Sequence, residues 1–226
     1  MKAFGTILYF TITFFYSAKV DAQTYVVKKI APGINILPWN KANTLTDFIY
    51  PWQNETAPAT SFKALWDGNW LYCLFTVTDD SVLVYQKTND KHEVGASDRA
   101  EIFLKADDKM SPYYCLELDA AGRVLDYSAD YYRIMHYDWQ WPKDQIRVQA
   151  SRTKDGYTVE AAISIASLKA LALLKDNKIQ AGLFRAECKS MLNGKSDLRW
   201  ISWINPKSEQ PDFHIPSAFG TLILEQ

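Results

Sequence analysis

The chain has 226 residues and a formal net charge of −1, with 25 basic side chains against 26 acidic ones. That balance supplies no basic field, which argues against nucleic acid or an anionic membrane surface as a partner. Nearly half the residues are hydrophobic and 14% are aromatic, enough for one sizeable core with rings to spare.

The first residues have the layout of a secretory leader. Lys2 is followed by the apolar run from Phe4 to Ala18, and Val20-Asp21-Ala22 offers small residues for cleavage before Gln23. Residues 1–22 are therefore expected to be a signal peptide. The run is short for a membrane span. Cleavage leaves 204 residues, numbered 23–226, as one exported domain, secreted or periplasmic, with no further membrane segment expected.

Beyond the leader, short alternating runs bounded by Gly, Asp, Asn and Pro predominate, the pattern of an antiparallel β-domain. Ser61–Trp66 and Trp70–Asp79 flank Asp67-Gly68-Asn69 as a hairpin. In the second run Leu71, Cys73, Phe75 and Val77 share one face, while Trp70, Tyr72 and Leu74 share the other. With both faces apolar, a central strand covered on both sides is expected.

The run from Arg99 to Ala106 puts Ile102 and Leu104 on one face and Arg99, Glu101, Phe103 and Lys105 on the other. Two more hairpins are expected, turning at Ala120–Gly122 and at Asp155-Gly156, and runs beginning at Lys178, Arg199 and Phe219 complete at least nine strand candidates. One short helix is expected over Ile165–Leu174. Together these predict an all-β fold, an antiparallel, jelly-roll-like β-sandwich.

The three cysteines, Cys73, Cys115 and Cys188, lie in apolar strand-like runs. An odd number cannot be fully paired, and free buried thiols are expected, one disulfide being the alternative.

Glu101 is an acid within an apolar strand and requires a role. No second carboxylate is paired with it by spacing, as a glycosidase would need. Neither a nucleophile motif nor a phosphate loop is present. Asp79-Asp80 is a weak calcium candidate, with turn capping as the alternative. Aromatic residues gather in three segments expected to be loops, Tyr50–Gln53, Tyr131–Pro142 and Pro211–His214. Sugar rings stack on such side chains while charged or amide groups take their hydroxyls. Trp139 and Trp141 belong either to such a platform or to the core.

The motifs, in order, resemble those of the family 9 carbohydrate-binding modules and their DOMON-type relatives. They are WNKANTLTDF (Trp39–Phe48), PATSFKALWDGNWLYCLFTVTDD (Pro58–Asp80), SDRAEIFLKADD (Ser97–Asp108), YYCLELDAAGRVLD (Tyr113–Asp126), GYTVEAAISIASL (Gly156–Leu168), ISW (Ile201–Trp203) and FGTLIL (Phe219–Leu224). The resemblance implies a β-sandwich that binds the end of a sugar chain between two rings, with Glu101 taking hydroxyls and Phe213 as one ring. The sequence departs from the pattern in HEVGASD (His92–Asp98), which lacks the second ring, and in YYCLEL (Tyr113–Leu118), which lacks an Arg. The two-ring clamp therefore does not carry over as it stands, which leaves sugar affinity lost, weakened or rebuilt from Trp139 or Trp141.

The binding set expected is thus Glu101, Phe213, Arg99, Trp139 and Trp141, with no catalytic residue. Arg99 is either an ion partner of Glu101 or a second hydroxyl contact; as an ordinary surface pair the two would contribute about 0–1 kcal/mol. The resemblance also implies a possible structural calcium, and polysaccharide-degrading enzymes as partners. The ligand class expected is a plant-type glycan such as xylan or cellulose fragments. The alternatives are a glycoside hydrolase and, through the DOMON relatives, a haem-binding domain using Met135 or His136. Adjacent residues cannot ligate one iron from both sides.

Overall fold

The computed structural model describes residues 23–193 and 195–226, so the expected signal peptide lies outside the described residues. The strands are β1 (Thr24–Lys29), β2 (Thr60–Trp66), β3 (Trp70–Thr78), β4 (Arg99–Lys105), β5 (Tyr113–Asp119), β6 (Val124–Asp130) and β7 (Ile134–His136), then β8 (Ile146–Thr153), β9 (Gly156–Ser164), β10 (Leu174–Lys175), β11 (Lys178–Leu192), β12 (Lys195–Ser202) and β13 (Gly220–Leu224).

They form two layers. One runs β7-β6-β5-β4-β11-β13-β1, with β10 and β12 also pairing with β11; the other runs β1-β2-β3-β9-β8. Strand β1 belongs to both, pairing with β13 through Thr24–Val27 and with β2 through Lys28 and Lys29. Both of these pairings are parallel, so the sandwich is mixed at its seam and antiparallel elsewhere.

The three expected hairpins are present. Asp67 fixes the first, its Oδ1 accepting from the amides of Asn69 and Trp70 at 2.8 Å. In the third, a Cβ on Gly156 would fall 2.0 Å from the Val77 carbonyl oxygen, which leaves room for no other residue. The helix α1 (Ile165–Ala170) is shorter than expected. Ser164 caps it, accepting from Ser167 N at 2.9 Å, and Ala172 ends it with a left-handed φ of 57°.

The main core fills the space between the layers. Ile102, Leu104, Leu116, Leu118 and Leu183 face Phe62, Leu71, Cys73, Phe75, Val159 and Ile163. Strand β3 buries Leu71, Cys73, Phe75 and Val77, but its Trp70, Tyr72 and Leu74 are only half-buried, contrary to the expectation of cover on both faces. Strands β4 and β5 are the covered ones, all seven residues of each being buried. A second apolar cluster lies on their outer side, built from Phe103, Tyr113, Cys115, Tyr127, Phe184 and Phe213 under the loops. The three cysteines are free and buried.

Candidate functional site

The alternation along β4 sends Ile102 and Leu104 inward and Arg99, Glu101 and Phe103 outward, as the residue pattern predicts. On the outer side the three line a cavity of about 220 Å³ with Glu117, Tyr127 and the loop residues above them. The register explains the company. Glu101 is the cross-strand partner of Glu117 on β5 and of Phe184 on β11, so all three project to the same side.

Arg99 Nε lies 2.9 Å from Glu101 Oε1 and 2.6 Å from Glu117 Oε2. The reading of Arg99 and Glu101 as a surface pair is therefore corrected. Arg99 is 4% exposed and Glu101 1%, because three loops close over the outer side of the sheet. The guanidinium is held further by the Gly95 carbonyl at 2.8 Å and lies against the Trp200 ring, 5.4 Å from its centroid. Glu117 accepts from Tyr127 Oη at 2.9 Å. The absence of a paired carboxylate, expected from spacing, is also corrected: strand pairing supplies Glu117, which linear spacing does not show.

Burial pushes the Glu101 carboxyl up to about 8, against the lowering effect of Arg99 and with a further push from Glu117. With a proton on Glu101 the triad carries no net charge, which suits side chains so thoroughly buried. Oε1 of Glu101 and Nε of Arg99 are enclosed together in close charge contact, which holds the two side chains in place at the cavity wall.

Phe213 reaches the cavity from the segment before β13, but it is 6% exposed and stacks flat on Phe184, ring centroids 4.0 Å apart and planes within 9°. Gly182 makes this stack possible, since a Cβ there would lie 2.4 Å from the Phe184 ring. Phe213 is thus the backing of the site more than a free clamp ring. The half-buried rings lining the cavity in front of it are Trp52 and Trp200, 5.3 Å and 5.8 Å from Phe213. Trp52 is set by its own hydrogen bond to the Ser208 carbonyl, 2.9 Å.

Trp139 and Trp141 do not reach the cavity, which corrects their expected role. Both fold back on the main core beside Tyr114, and Trp141 is buried with its Nε1 donating to Ser167 Oγ at 3.1 Å. From the same long segment, however, Arg133, Met135 and Tyr137 line the site. His136 alternates away and pairs with Asp130, its Nε2 2.9 Å from Oδ2. Asp212 ties this segment to the 211–214 loop, with Oδ2 accepting from Tyr132 Oη at 2.5 Å, and Oδ1 from Arg133 at 3.2 Å and from the His214 amide at 2.9 Å. Burial lowers His214 to about 4, and its Nδ1 lies 2.7 Å from Tyr113 Oη.

Asp79 does not suit the calcium role considered for it. Its Oδ2 lies 2.6 Å from the guanidinium of the fully buried Arg185, and its Oδ1 accepts from Ser81 N. Asp80 is exposed. Among the described residues no group of three or more His, Cys, Asp or Glu side chains is arranged to hold a metal ion.

Comparison with known proteins gives a consistent picture. The family described as carbohydrate family 9 binding domain-like matches residues 37–226. The chain is 29% identical over 188 residues to endo-1,4-beta-xylanase C of Paenibacillus barcinonensis and 26% identical over 186 residues to exoglucanase XynX of Acetivibrio thermocellus. Each alignment covers 82% of this chain but only 15% of the relative. Among solved structures, one from Bacteroides uniformis, assigned as a carbohydrate-binding protein, superposes with a TM-score of 0.69 at 19% identity, covering 91% of this chain and all of the other. A family 9 module from Caldicellulosiruptor kristjanssonii, solved with cellotriose, gives a TM-score of 0.54 at 21% identity, covering 90% of this chain and 94% of that one.

Proposed function

The chain belongs to the carbohydrate family 9 binding domain-like family, and on that premise we propose that it is a non-catalytic module holding a neutral sugar in the cavity over β4 and β5. The observation that carries the reading is the grouping of Trp52, Trp200 and the Arg99–Glu101–Glu117 triad around one small cavity. The rings offer flat apolar faces to the C–H side of a pyranose, and the triad offers both donors and acceptors to its hydroxyls. Protonated Glu101 gives one hydrogen bond and accepts another, where a carboxylate would only accept.

The ligand class we propose is a β-linked plant-type glycan, of the xylan or cellulose kind, supported by the xylanase and exoglucanase names of the two enzyme relatives and by the cellotriose complex of a structural neighbour. The leader-like residues 1–22 support an exported protein, secreted or periplasmic, working beside polysaccharide-degrading enzymes. A glycan array with wild type, Trp52→Ala and Glu101→Ala tests this. Binding to β-glucan or xylan fragments that both changes weaken supports it; binding untouched by either contradicts the site.

One observation favours a second reading. Two carboxyl groups in one cavity, one of them protonated near neutrality, is also the equipment of a glycoside hydrolase. Here, however, the two lie on adjacent strands of one wall and share Arg99, with no free space between them for a scissile bond. Hydrolysis of a chromogenic β-glycoside by wild type, abolished in Glu101→Gln, would establish the enzyme instead.

A further inference from the structure

The half-covered outer face of the second layer is built unlike a plain solvated sheet. Trp70 and Tyr72 on β3, Glu160 and Ala162 on β9, and Arg147 and Gln149 on β8 all project outward in adjoining register. Tyr72 and Arg147 flank Ala162 from either side, and Gln149 is the cross-strand partner of Glu160. The small side chain of Ala162 leaves a trough between its two large neighbours. The segment Ile34–Leu37 arches over that trough and closes it into a groove of about 410 Å³. This falls in the roughly 300–1,000 Å³ range of ligand sites and is nearly twice the cavity over β4.

Two of the walls are held in place before any ligand arrives. The Arg147 guanidinium lies over the Trp70 ring, 4.1 Å from its centroid, which fixes its plane. Tyr72 Oη donates to Asp67 Oδ2 at 2.9 Å, which anchors its ring. Gln149, Glu160 and Asn35 add two amides and a carboxylate to the same groove. One cation and one anion balance, so the groove suits a ligand that is neutral and rich in hydroxyls. An anionic polymer would meet Glu160, and a cationic one Arg147.

We infer that this groove is a second carbohydrate-binding site, taking an internal stretch of a neutral polysaccharide along the outer face of β3, β9 and β8, its β-linked class resting on the function proposed above. It is separated from the first cavity by the whole thickness of the sandwich, so one chain can engage two glycan strands, or two places on one surface. Two modest sites on one rigid body raise retention on an insoluble polymer well beyond either alone.

The test is residue-resolved NMR titration of the protein with cellohexaose and, separately, xylohexaose. For at least one of them, amide shifts are expected in two clusters, one at residues 99–103 with 213 and one at 147–149 with 160–162. The double variant Arg147→Ala/Glu160→Gln alters only exposed or half-buried side chains; it is expected to weaken the second cluster's response at least tenfold and leave the first intact. A second cluster that stays silent with both hexasaccharides in wild type overturns the inference, whatever the first does. So does a second cluster that responds unchanged in the double variant. Silence confined to the first cluster counts against the first site and not against the groove.

Discussion

Glu101 and Glu117 are direct cross-strand partners on β4 and β5, and the single guanidinium of Arg99 lies within 2.9 Å of one and 2.6 Å of the other. Like charges directly opposed on a sheet face repel, and both side chains are buried, so the pair is tolerated only through Arg99 and a proton. The same arrangement makes the cavity polar at its floor and apolar along its aromatic walls.

Removing Arg99 is therefore costly. Arg99→Met leaves two buried carboxyl groups without their cation and is expected to destabilise the fold by about 3–5 kcal/mol. Adding Glu101→Gln and Glu117→Gln to it should recover much of that loss. Urea unfolding of the single and triple variants measures both; equal stability of the two would show that the triad is not coupled.

Stability should also depend on pH in a defined direction. Burial raises Glu101 from 4.5 to about 8 and Asp98 from 3.8 to about 7, so between those limits the folded state holds more protons than the unfolded one, and stability falls as pH rises. His214, lowered from 6.5 to about 4, acts oppositely, but only below its unfolded value. Between pH 6.5 and 8 the two carboxyls dominate, because the raised thiols and phenols act only at more alkaline pH. Denaturant midpoints are expected to drop from pH 6.5 to 8, and Glu101→Gln should flatten part of that drop.

The front rings divide binding from folding. Trp52 is half-buried with one side open to the cavity, so Trp52→Ala is expected to weaken sugar binding by about 2 kcal/mol, roughly thirtyfold, with a smaller loss of stability. Phe213→Ala instead removes a buried ring stacked on Phe184 and should cost about 3–5 kcal/mol of stability. Thermal melts alongside binding isotherms separate the two effects.

Thiol chemistry gives an independent check on the core. Burial raises Cys73 to about 12 and Cys115 well above its ordinary value, and Cys188 is 2% exposed. None of the three should react with an aromatic disulfide reagent in the native protein, and all three should react in guanidinium. Prompt reaction of a native thiol would mean that a strand is open.

The sandwich, its hairpins and the two faces of β4 could be read from alternation and turn residues, because burial on one side of a strand writes itself into every second position. The site was only partly readable. Glu101 stood out as an acid in an apolar run, but Glu117 looked unrelated, since the register that faces the two is set by the turn between β4 and β5. Trp52 lay in a loop segment whose aromatic content was visible, while Trp200 looked like an ordinary strand residue. Trp139 and Trp141 carried the same signal as Trp52 and proved to be core, because Asp126 and Ser167 draw Trp141 inward, its amide to Asp126 Oδ2 at 2.6 Å and its ring N–H to Ser167 Oγ at 3.1 Å. Loop rings advertise stacking capacity; only the path of the loop decides whether the stack is with the protein or with a ligand.

The central claim is that the Arg99–Glu101–Glu117 floor takes sugar hydroxyls, and calorimetric titration of cellotriose and xylotriose into wild type and Glu101→Ala tests it most directly. Wild type is expected to bind at least one of them, and the variant, still folded by circular dichroism, to lose about 1.5–3 kcal/mol of affinity, roughly ten- to 150-fold. Equal affinity in a folded Glu101→Ala variant, or heat-silent wild type with both sugars, would contradict it.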